Sequence, residues 1–332
     1  MAKILITNYN FLDKENYELL NQDYGFEFIN IKEGTSILDE TNYQSEIDVV
    51  IYSSSTTHIA EEYFAMLERN RIHYLVAKMT GIAQIDLQAA KRHNVKVANV
   101  RNYSPNAIAE LALSLTLSMN RELFRVKENE KKQDFTKNAI PCGKEIREQT
   151  IGIIGVGQIG IKTAAYFKGL EAEVIGYDPY PKKEAEVFLH YVSLEELRKR
   201  ADIVILHTPY IEGVNYHLID AEFIRDMKDG ALLINAARGE LTDLKAIVEA
   251  VKTGKLRGYG TDVLEKEELL FGKKVENIED EDIKEALELY PRIIITPHIG
   301  AHTRNARRRI VQIALEECAD FIQKGKAQYE CN

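Results

Sequence analysis

Apolar positions along the chain fall into two series of short strand-like runs, each alternating with stretches of helical spacing. In the first series, residues 3–7, 26–31, 48–52, 73–77 and 95–100 read as strands, and 13–24, 60–70 and 85–93 as helices. The second begins near residue 150, with strands at 150–154, 173–177, 203–207, 231–235, 258–262 and 293–296. Its helices are predicted at 161–170, 193–200, 221–227 and 244–253. Strand–helix alternation of this kind predicts parallel α/β sheets covered by helices. A long helix opening at Ser104-Pro105-Asn106 and a charged helical stretch over 121–134 separate the two series. The polar, acidic segment 263–290 is too long for a tight connection and reads as loop plus short helix. The last helix, 303–325, has no place in the second sheet and is expected to pack back on the first.

One stretch organises the second series. After the strand carrying Ile151, Ile153 and Ile154 comes a turn with Gly155, Gly157 and Gly160, and then a helix. In that context the glycines permit a tight turn, a close approach of pyrophosphate to the backbone, and close helix–strand packing. The helix N-terminus would face the phosphates with free N–H groups and its positive dipole end. Asp178 follows the next strand, where a carboxylate accepts the ribose hydroxyls and repels the extra phosphate of NADP. The expected cofactor is therefore NAD. The fold expected is α/β, with two Rossmann-like doubly wound parallel-sheet domains. An NAD-binding domain, 102–299, is inserted into a discontinuous substrate-binding domain, 1–101 plus 300–332, with a cleft between the two.

Bulk properties narrow the reading. The 332 residues carry a formal net charge of −9, with basic residues bunched locally at Arg304, Arg307, Arg308 and Arg309. That cluster reads as a solvated helix face or as positive charge on the substrate side, and nucleic acid is not an expected partner. The start, Met1 to Thr7, reads as a strand rather than a signal peptide, and no apolar run reaches transmembrane length. The three cysteines, Cys142, Cys318 and Cys331, lack metal-ligand spacing, so no metal site and a cytoplasmic location are expected.

Three residues could do chemistry just past strand ends, where open α/β sheets place their reactive groups. Arg238 lies in Asn235-Ala-Ala-Arg-Gly239, Glu267 follows Asp262-Val-Leu-Glu-Lys266, and His298 lies in Thr296-Pro-His-Ile-Gly300. A guanidinium fork grips a carboxylate bidentately. A histidine beside a carboxylate is a proton donor whose pKa is raised and whose tautomer is fixed. Taken singly, each is an ordinary surface or loop residue. Glu267 lies among Glu265 and Glu268, and Asp262 competes with it as the histidine's partner. Together, behind a nucleotide turn, the set suits reversible reduction of a 2-oxo acid, with His298 protonating the carbonyl oxygen and Arg238 holding the carboxylate.

These pieces, with Tyr103-Ser-Pro-Asn-Ala-Ile-Ala-Glu110 and His207-Thr-Pro209, resemble the D-isomer-specific 2-hydroxyacid dehydrogenases. The likeness is to the branch of D-lactate, (R)-2-hydroxyisocaproate and (R)-2-hydroxyglutarate dehydrogenases. It implies that Arg238, Glu267 and His298 are catalytic. It implies further that Gln158, Ile159, Asp178, Thr208, Pro209, Asn215, Ala237 and Asp262 contact NAD beside the glycines and Arg238. Backbone N–H groups of Thr80 and Gly81 would bind the substrate carboxylate, Arg238 and His298 would also contact the substrate, and Tyr103 would close one side of the pocket. A homodimer formed through the nucleotide domain, and a cleft that closes on cofactor binding, are implied as well.

The chain departs from the family pattern at Lys78, where arginine is usual, at Gln84, and at Arg101 before the Tyr-Ser-Pro motif. Lys78 or Arg101 could favour a substrate with a second negative charge, such as 2-oxoglutarate, or could simply pair with helix acids or solvent. The side-chain pocket is expected around 52–57, Tyr103 and 299–303. An alternative function is an NADH-sensing regulator on a dehydrogenase fold, which would not need all three catalytic residues. A phosphite or formate dehydrogenase is a more distant alternative.

Overall fold

In the computed structural model, residues 1–9, 11–32, 46–53, 58–82, 84–138 and 140–332 are described. The chain divides into two units, Met1–Ser104 with His302–Asn332, and Pro105–Ala301. The first runs β1 (Lys3–Tyr9), α1 (Phe11–Leu20), β2 (Glu27–Lys32), β3 (Val49–Tyr52), α2 (Glu61–Arg69), β4 (Tyr74–Ala77), α3 (Leu87–Arg92) and β5 (Lys96–Asn99). Its strands form one parallel sheet in the order β2-β1-β3-β4-β5. Every residue of β3 is buried, because helices cover both faces of a parallel sheet. On one face lie Phe64 and Leu67 of α2 with Ala89 and Ala90 of α3. On the other lie Tyr17 of α1 and the apolar side of the C-terminal helix, Arg304–Lys324, through Val311, Leu315, Cys318 and Phe321. That helix starts where the Thr303 hydroxyl accepts from Ala306 N and stops at Gly325, whose φ of +64° suits a C-terminal cap. Burying a side chain such as Leu315 or Phe321 stabilises the unit by about 1.5–3 kcal/mol each. The last helix therefore returns to the first sheet, as its lack of a place in the second predicts.

The second unit runs α4 (Pro105–Asn120), α5 (Leu123–Lys131), β6 (Thr150–Ile154), α6 (Gln158–Gly169), β7 (Glu173–Tyr177), β8 (His190–Tyr191), α7 (Leu194–Arg200), β9 (Ile203–Leu206), α8 (Ala221–Asp226), β10 (Ala231–Asn235), α9 (Leu244–Thr253), β11 (Leu256–Thr261), α10 (Glu281–Glu288) and β12 (Ile293–Ile295). The sheet order is β12-β11-β10-β9-β6-β7-β8, parallel throughout. From β8 to β11 this is the doubly wound dinucleotide-binding order, with β12 added at the edge, and the order reverses between β6 and β9. Two apolar layers, one around Val204, Leu233 and Phe223 and one around Ile153, Phe167 and Leu232, fill the two sides.

Local differences from the sequence reading have local causes. The charged stretch 121–134 is broken at its start, because Glu122 takes a left-handed φ of +53° between α4 and α5. The two-residue edge strand β8 is too short to leave a pattern in the sequence. The boundaries between units fall at Ser104/Pro105 and Ala301/His302, a few residues beyond those read from the sequence. Tyr103 packs on the first unit's core, while Gly300 N donates to Asp262 of the second. No helix among the described residues is long and apolar enough to cross a membrane.

Candidate active site

The glycine turn lies where β6 and β9 part, the crevice in which open sheets bind nucleotides. Gly155 has φ +92°, and a Cβ there would lie 2.4 Å from Thr208 N, so only glycine lets the two strand ends meet. A Cβ on Gly160 would sit 2.2 Å from Gly155 O. At Gly157, by contrast, a Cβ would meet no atom within 4 Å, which leaves the space a pyrophosphate needs. Gly157 caps α6 without a side-chain bond, so the first-turn amides remain for an anion. Asp178 is pinned beside the turn, accepting Val156 N at 2.7 Å and Tyr180 N at 2.8 Å. These features fit an NAD molecule. Gln158 is exposed and Ile159 half-buried at the start of α6, and Thr208 and Pro209 follow β9 on the other side of the turn.

Two neighbours turn out to be shaping residues. The Asn215 amide donates to Pro209 O at 2.8 Å and its oxygen accepts from Ile211 N at 2.7 Å, closing the loop after β9 upon itself. His207 shares a 2.8 Å hydrogen bond with the Thr163 hydroxyl of α6, and burial lowers its pKa to about 3, so the ring is neutral and ties α6 to β9. The motif His207-Thr-Pro209 marked this position in the sequence without giving the histidine a part.

Arg238, Glu267 and His298 leave three adjacent strands from one level. Asn235 of β10 pairs with Thr261 of β11, and Thr261 with Ile295 of β12. The loops beyond are stitched together by Asp262, which is 3% exposed. Its carboxylate accepts the Thr296 hydroxyl at 2.6 Å, Ile299 N at 2.8 Å and Gly300 N at 2.7 Å, while its carbonyl accepts His298 N at 3.0 Å. Those bonds hold His298 at φ +52°, a left-handed conformation costing about 1–3 kcal/mol for a residue other than glycine. Burial pushes the Asp262 carboxyl up, against the lowering effect of its three hydrogen-bond donors and His298. Asp262 is thus occupied with the loop, and the competition left open by the sequence goes to Glu267. The His298 Nδ1 donates to Glu267 Oε1 at 2.5 Å.

That bond leaves the other ring nitrogen, Nε2, for a substrate. Crowding by surrounding protein pulls the His298 pKa down, but the hydrogen bond and charge of Glu267, helped by Asp262, outweigh it and hold the imidazole above its ordinary value. The Arg238 guanidinium acts on the same ring in the opposite sense. Arg238 is half-buried, with Nη1 donating to Ala237 O at 2.6 Å, and Ala237 is itself buried with its N–H on Asn235 Oδ1 at 3.0 Å. Gly239 next to it is obligatory, since a Cβ would lie 2.0 Å from the Leu264 carbonyl carbon of the loop leading to Glu267.

The first unit places Thr80 and Gly81 in an exposed loop after β4, and the Tyr103 ring half-buried against that unit's core. Lys78 is not available to a substrate. Its side chain is 6% exposed and its ammonium bonds Asp13 Oδ2 of α1 at 2.5 Å, so of the two readings open for it the pairing with a helix acid holds and the one with a second substrate carboxylate does not. Arg101 is directed to its own unit as well: Nε donates to Asn99 Oδ1 at 2.8 Å, and the guanidinium covers the Tyr329 ring. Of the arginine cluster, Arg307 turns inward to Asp13 at 2.6 Å, whereas Arg304, Arg308 and Arg309 are exposed. Part of the expected side-chain pocket, residues 54–57, lies outside the described residues.

Residues 113–300 match the family model described as "D-isomer specific 2-hydroxyacid dehydrogenase, NAD binding domain". The chain belongs to the D-isomer-specific 2-hydroxyacid dehydrogenase family. It is 39% identical over 256 residues to an aromatic 2-oxoacid reductase of Clostridium sporogenes, a match covering 76% of this chain and 77% of that one. It is 38% identical over 282 residues to an NAD-dependent D-2-hydroxyacid dehydrogenase of Lacticaseibacillus paracasei, covering 84% of each. The fold superposes with a TM-score of 0.91 on a D-lactate dehydrogenase of Treponema pallidum, 28% identical and covered completely in both chains. The protein is accordingly an NAD-dependent D-2-hydroxyacid dehydrogenase, an oxidoreductase rather than the regulator that the sequence left as an alternative.

Proposed function

We propose that His298 is the proton donor, Glu267 its orienting and charge-stabilising partner, and Arg238 the carboxylate and carbonyl ligand in reduction of a 2-oxo acid to the (R)-2-hydroxy acid. The observation that supports this most directly is the 2.5 Å bond from His298 Nδ1 to Glu267, which leaves Nε2 to face a carbonyl oxygen. When bound, NADH supplies the hydride to the carbonyl carbon. His298 then gives its Nε2 proton to the oxygen, and the imidazole that remains stays fixed in one tautomer by Glu267. Arg238 offers paired N–H donors to the carboxylate and positive charge to the carbonyl. In the oxidative direction the same histidine, neutral, takes the hydroxyl proton.

Gly155, Gly157, Gln158, Ile159, Gly160, Asp178, Thr208, Pro209, Asn215, Ala237 and Asp262 are proposed to hold or shape the NAD site. On the first unit, Thr80 and Gly81 are proposed to give N–H groups to the substrate carboxylate, with Tyr103 bounding its side chain. The named relatives are an aromatic 2-oxoacid reductase, a D-2-hydroxyacid dehydrogenase and a D-lactate dehydrogenase, and the substrate of this chain is proposed only as a small 2-oxo acid. A homodimer is proposed through the second unit, supported by the exposed Leu123, Val126 and Phe135 in and after α5. Three free thiols support a reducing, cytoplasmic setting.

The deciding experiment is NADH oxidation by the purified protein with pyruvate, 2-oxobutyrate, 2-oxoisocaproate, phenylpyruvate, oxaloacetate and 2-oxoglutarate, with chiral analysis of the product. An (R) product that disappears in His298→Gln, while NADH still binds, supports the assignment. An unchanged rate in that variant would remove His298 from the role.

A further inference from the structure

Thr80 and Gly81 sit in a loop whose root carries a buried ion pair. Lys78 opens it, and although lysine is seldom buried, this one lies among Asp13 of α1 and the face of Tyr17, 5.5 Å away. Asp13 takes Lys78 Nζ on one oxygen at 2.5 Å and Arg307 Nη2, from the C-terminal helix, on the other at 2.6 Å. Three elements distant in sequence thus converge on one carboxylate. Burial pulls the Lys78 ammonium below its ordinary pKa, and Asp13 opposes that pull by charge and hydrogen bond.

From Lys78 onward the chain is fixed again at each step. Lys78 N donates to Tyr52 O at 2.8 Å, Met79 O accepts Val100 N at 3.1 Å, and the Thr80 hydroxyl donates to Val100 O at 2.9 Å. The Asn99 amide donates to Thr80 O at 2.7 Å, and Arg101 holds that same Asn99 by its oxygen. Every one of these bonds uses the carbonyls, the side chains or the first amides of the loop. Among the described residues no acceptor engages the N–H of Thr80 or of Gly81. Two adjacent donors are therefore left presented on an exposed loop whose root these bonds hold, which is what recognition of a carboxylate needs.

We propose that Lys78, through its buried pair with Asp13, is a positioning residue for the substrate carboxylate: it acts on binding of every 2-oxo acid alike and does not select among side chains. The proposal rests on the reading of Thr80 and Gly81 as carboxylate ligands. It replaces a selectivity role for Lys78 with a role in the part of the substrate that all 2-oxo acids share.

The test is steady-state kinetics of Lys78→Met, Lys78→Arg and Thr80→Pro with three substrates, phenylpyruvate, pyruvate and 2-oxoglutarate, beside NADH titration and melting of each variant. Lys78→Met is expected to raise KM about tenfold to a hundredfold for every substrate the wild type turns over, the scale of a small misplacement of a binding group. The NADH affinity should be unchanged, and Lys78→Arg should restore most of the loss. A KM that stays at the wild-type value in folded Lys78→Met, or a loss confined to 2-oxoglutarate, overturns the proposal. Thr80→Pro, which deletes one of the two donors, separates the underlying reading. If it leaves KM unmoved, the carboxylate is not bound there; if it raises KM while Lys78→Met does not, only the positioning role fails. Should Lys78→Met not fold, Asp13→Glu decides, because it keeps both charges and lengthens the arm that sets the lysine: unchanged KM for all substrates refutes the role, and a uniform rise supports it.

Discussion

Two carboxylate–cation pairs, each 2.5 Å long, stand beyond strand ends of the two units, and they are built for different work. In the second unit the His298 and Glu267 side chains are 44% and 26% exposed; in the first, Lys78 and Asp13 are 6% and 4% exposed. A reachable imidazole, held above its ordinary pKa by its carboxylate partner, can pass a proton to a bound carbonyl. A walled-in ammonium passes its proton nowhere. Its charge is costly to bury, and the pair makes physical sense as a fixed point that specifies one loop conformation. The same contact distance therefore says little about role; exposure and the identity of the base decide.

The comparison can be broken most forcefully at the histidine. His298→Gln is expected to lower kcat for reduction by about 10² to 10⁴, the usual share of general acid catalysis, while fluorescence titration finds NADH binding unchanged. The buried pair should respond in stability instead. Asp13→Ala leaves two cations without their carboxylate and is expected to cost about 3–5 kcal/mol, read as a fall in melting temperature. Glu267→Ala, losing a part-exposed partner, should move the melting temperature far less. Equal shifts in the two variants would erase the contrast drawn from burial.

Smaller effects sharpen it. Arg238→Lys keeps the charge and loses the fork, so KM for the 2-oxo acid should rise by about tenfold or more, as expected when a charged hydrogen bond of about 1.5–3 kcal/mol is lost. Glu267→Gln bears on pH. The His298 pKa is raised in the native protein. The imidazolium that the proposed proton transfer needs is therefore present at low pH and lost as pH rises through that raised value. Removing the Glu267 charge should shift this alkaline limb to lower pH, and a limb that stays in place would dissociate Glu267 from the histidine's titration. Smallest in its effect on the fold is Gly157→Ala, since a Cβ there meets no atom within 4 Å. Its melting temperature should match the wild type while NADH binding weakens; the reverse outcome would move the pyrophosphate away from that glycine.

Much of this was legible before any coordinates. The glycine turn carries its own signature, because Gly155 and Gly160 answer steric demands of one strand–turn–helix unit and Gly157, between them, leaves open space beside the backbone. Arg238 and His298 stand out as candidates because strand ends in an α/β sheet are where reactive groups emerge, and the strands announce themselves as apolar runs. The choice between Asp262 and Glu267 could not be made that way. His298 lies 31 residues from Glu267, and the contest is settled by Asp262 being spent on Thr296, Ile299 and Gly300. The two readings open for Lys78 could not be decided from the sequence for a related reason. Its position after a strand looked like an active-site rim, and nothing in the neighbouring sequence reveals that Asp13, 65 residues earlier, awaits it in the core.

The sequence by itself determined the local physics of this protein: which runs become strands and helices, where the backbone must be glycine, and which side chains stand at strand ends. Those are short-range consequences of periodicity and sterics. The tertiary structure decided which charges meet and which of them remain in reach of solvent. Pairing and burial depend on segments far apart in the chain, and the energy of an ionisable group depends on both.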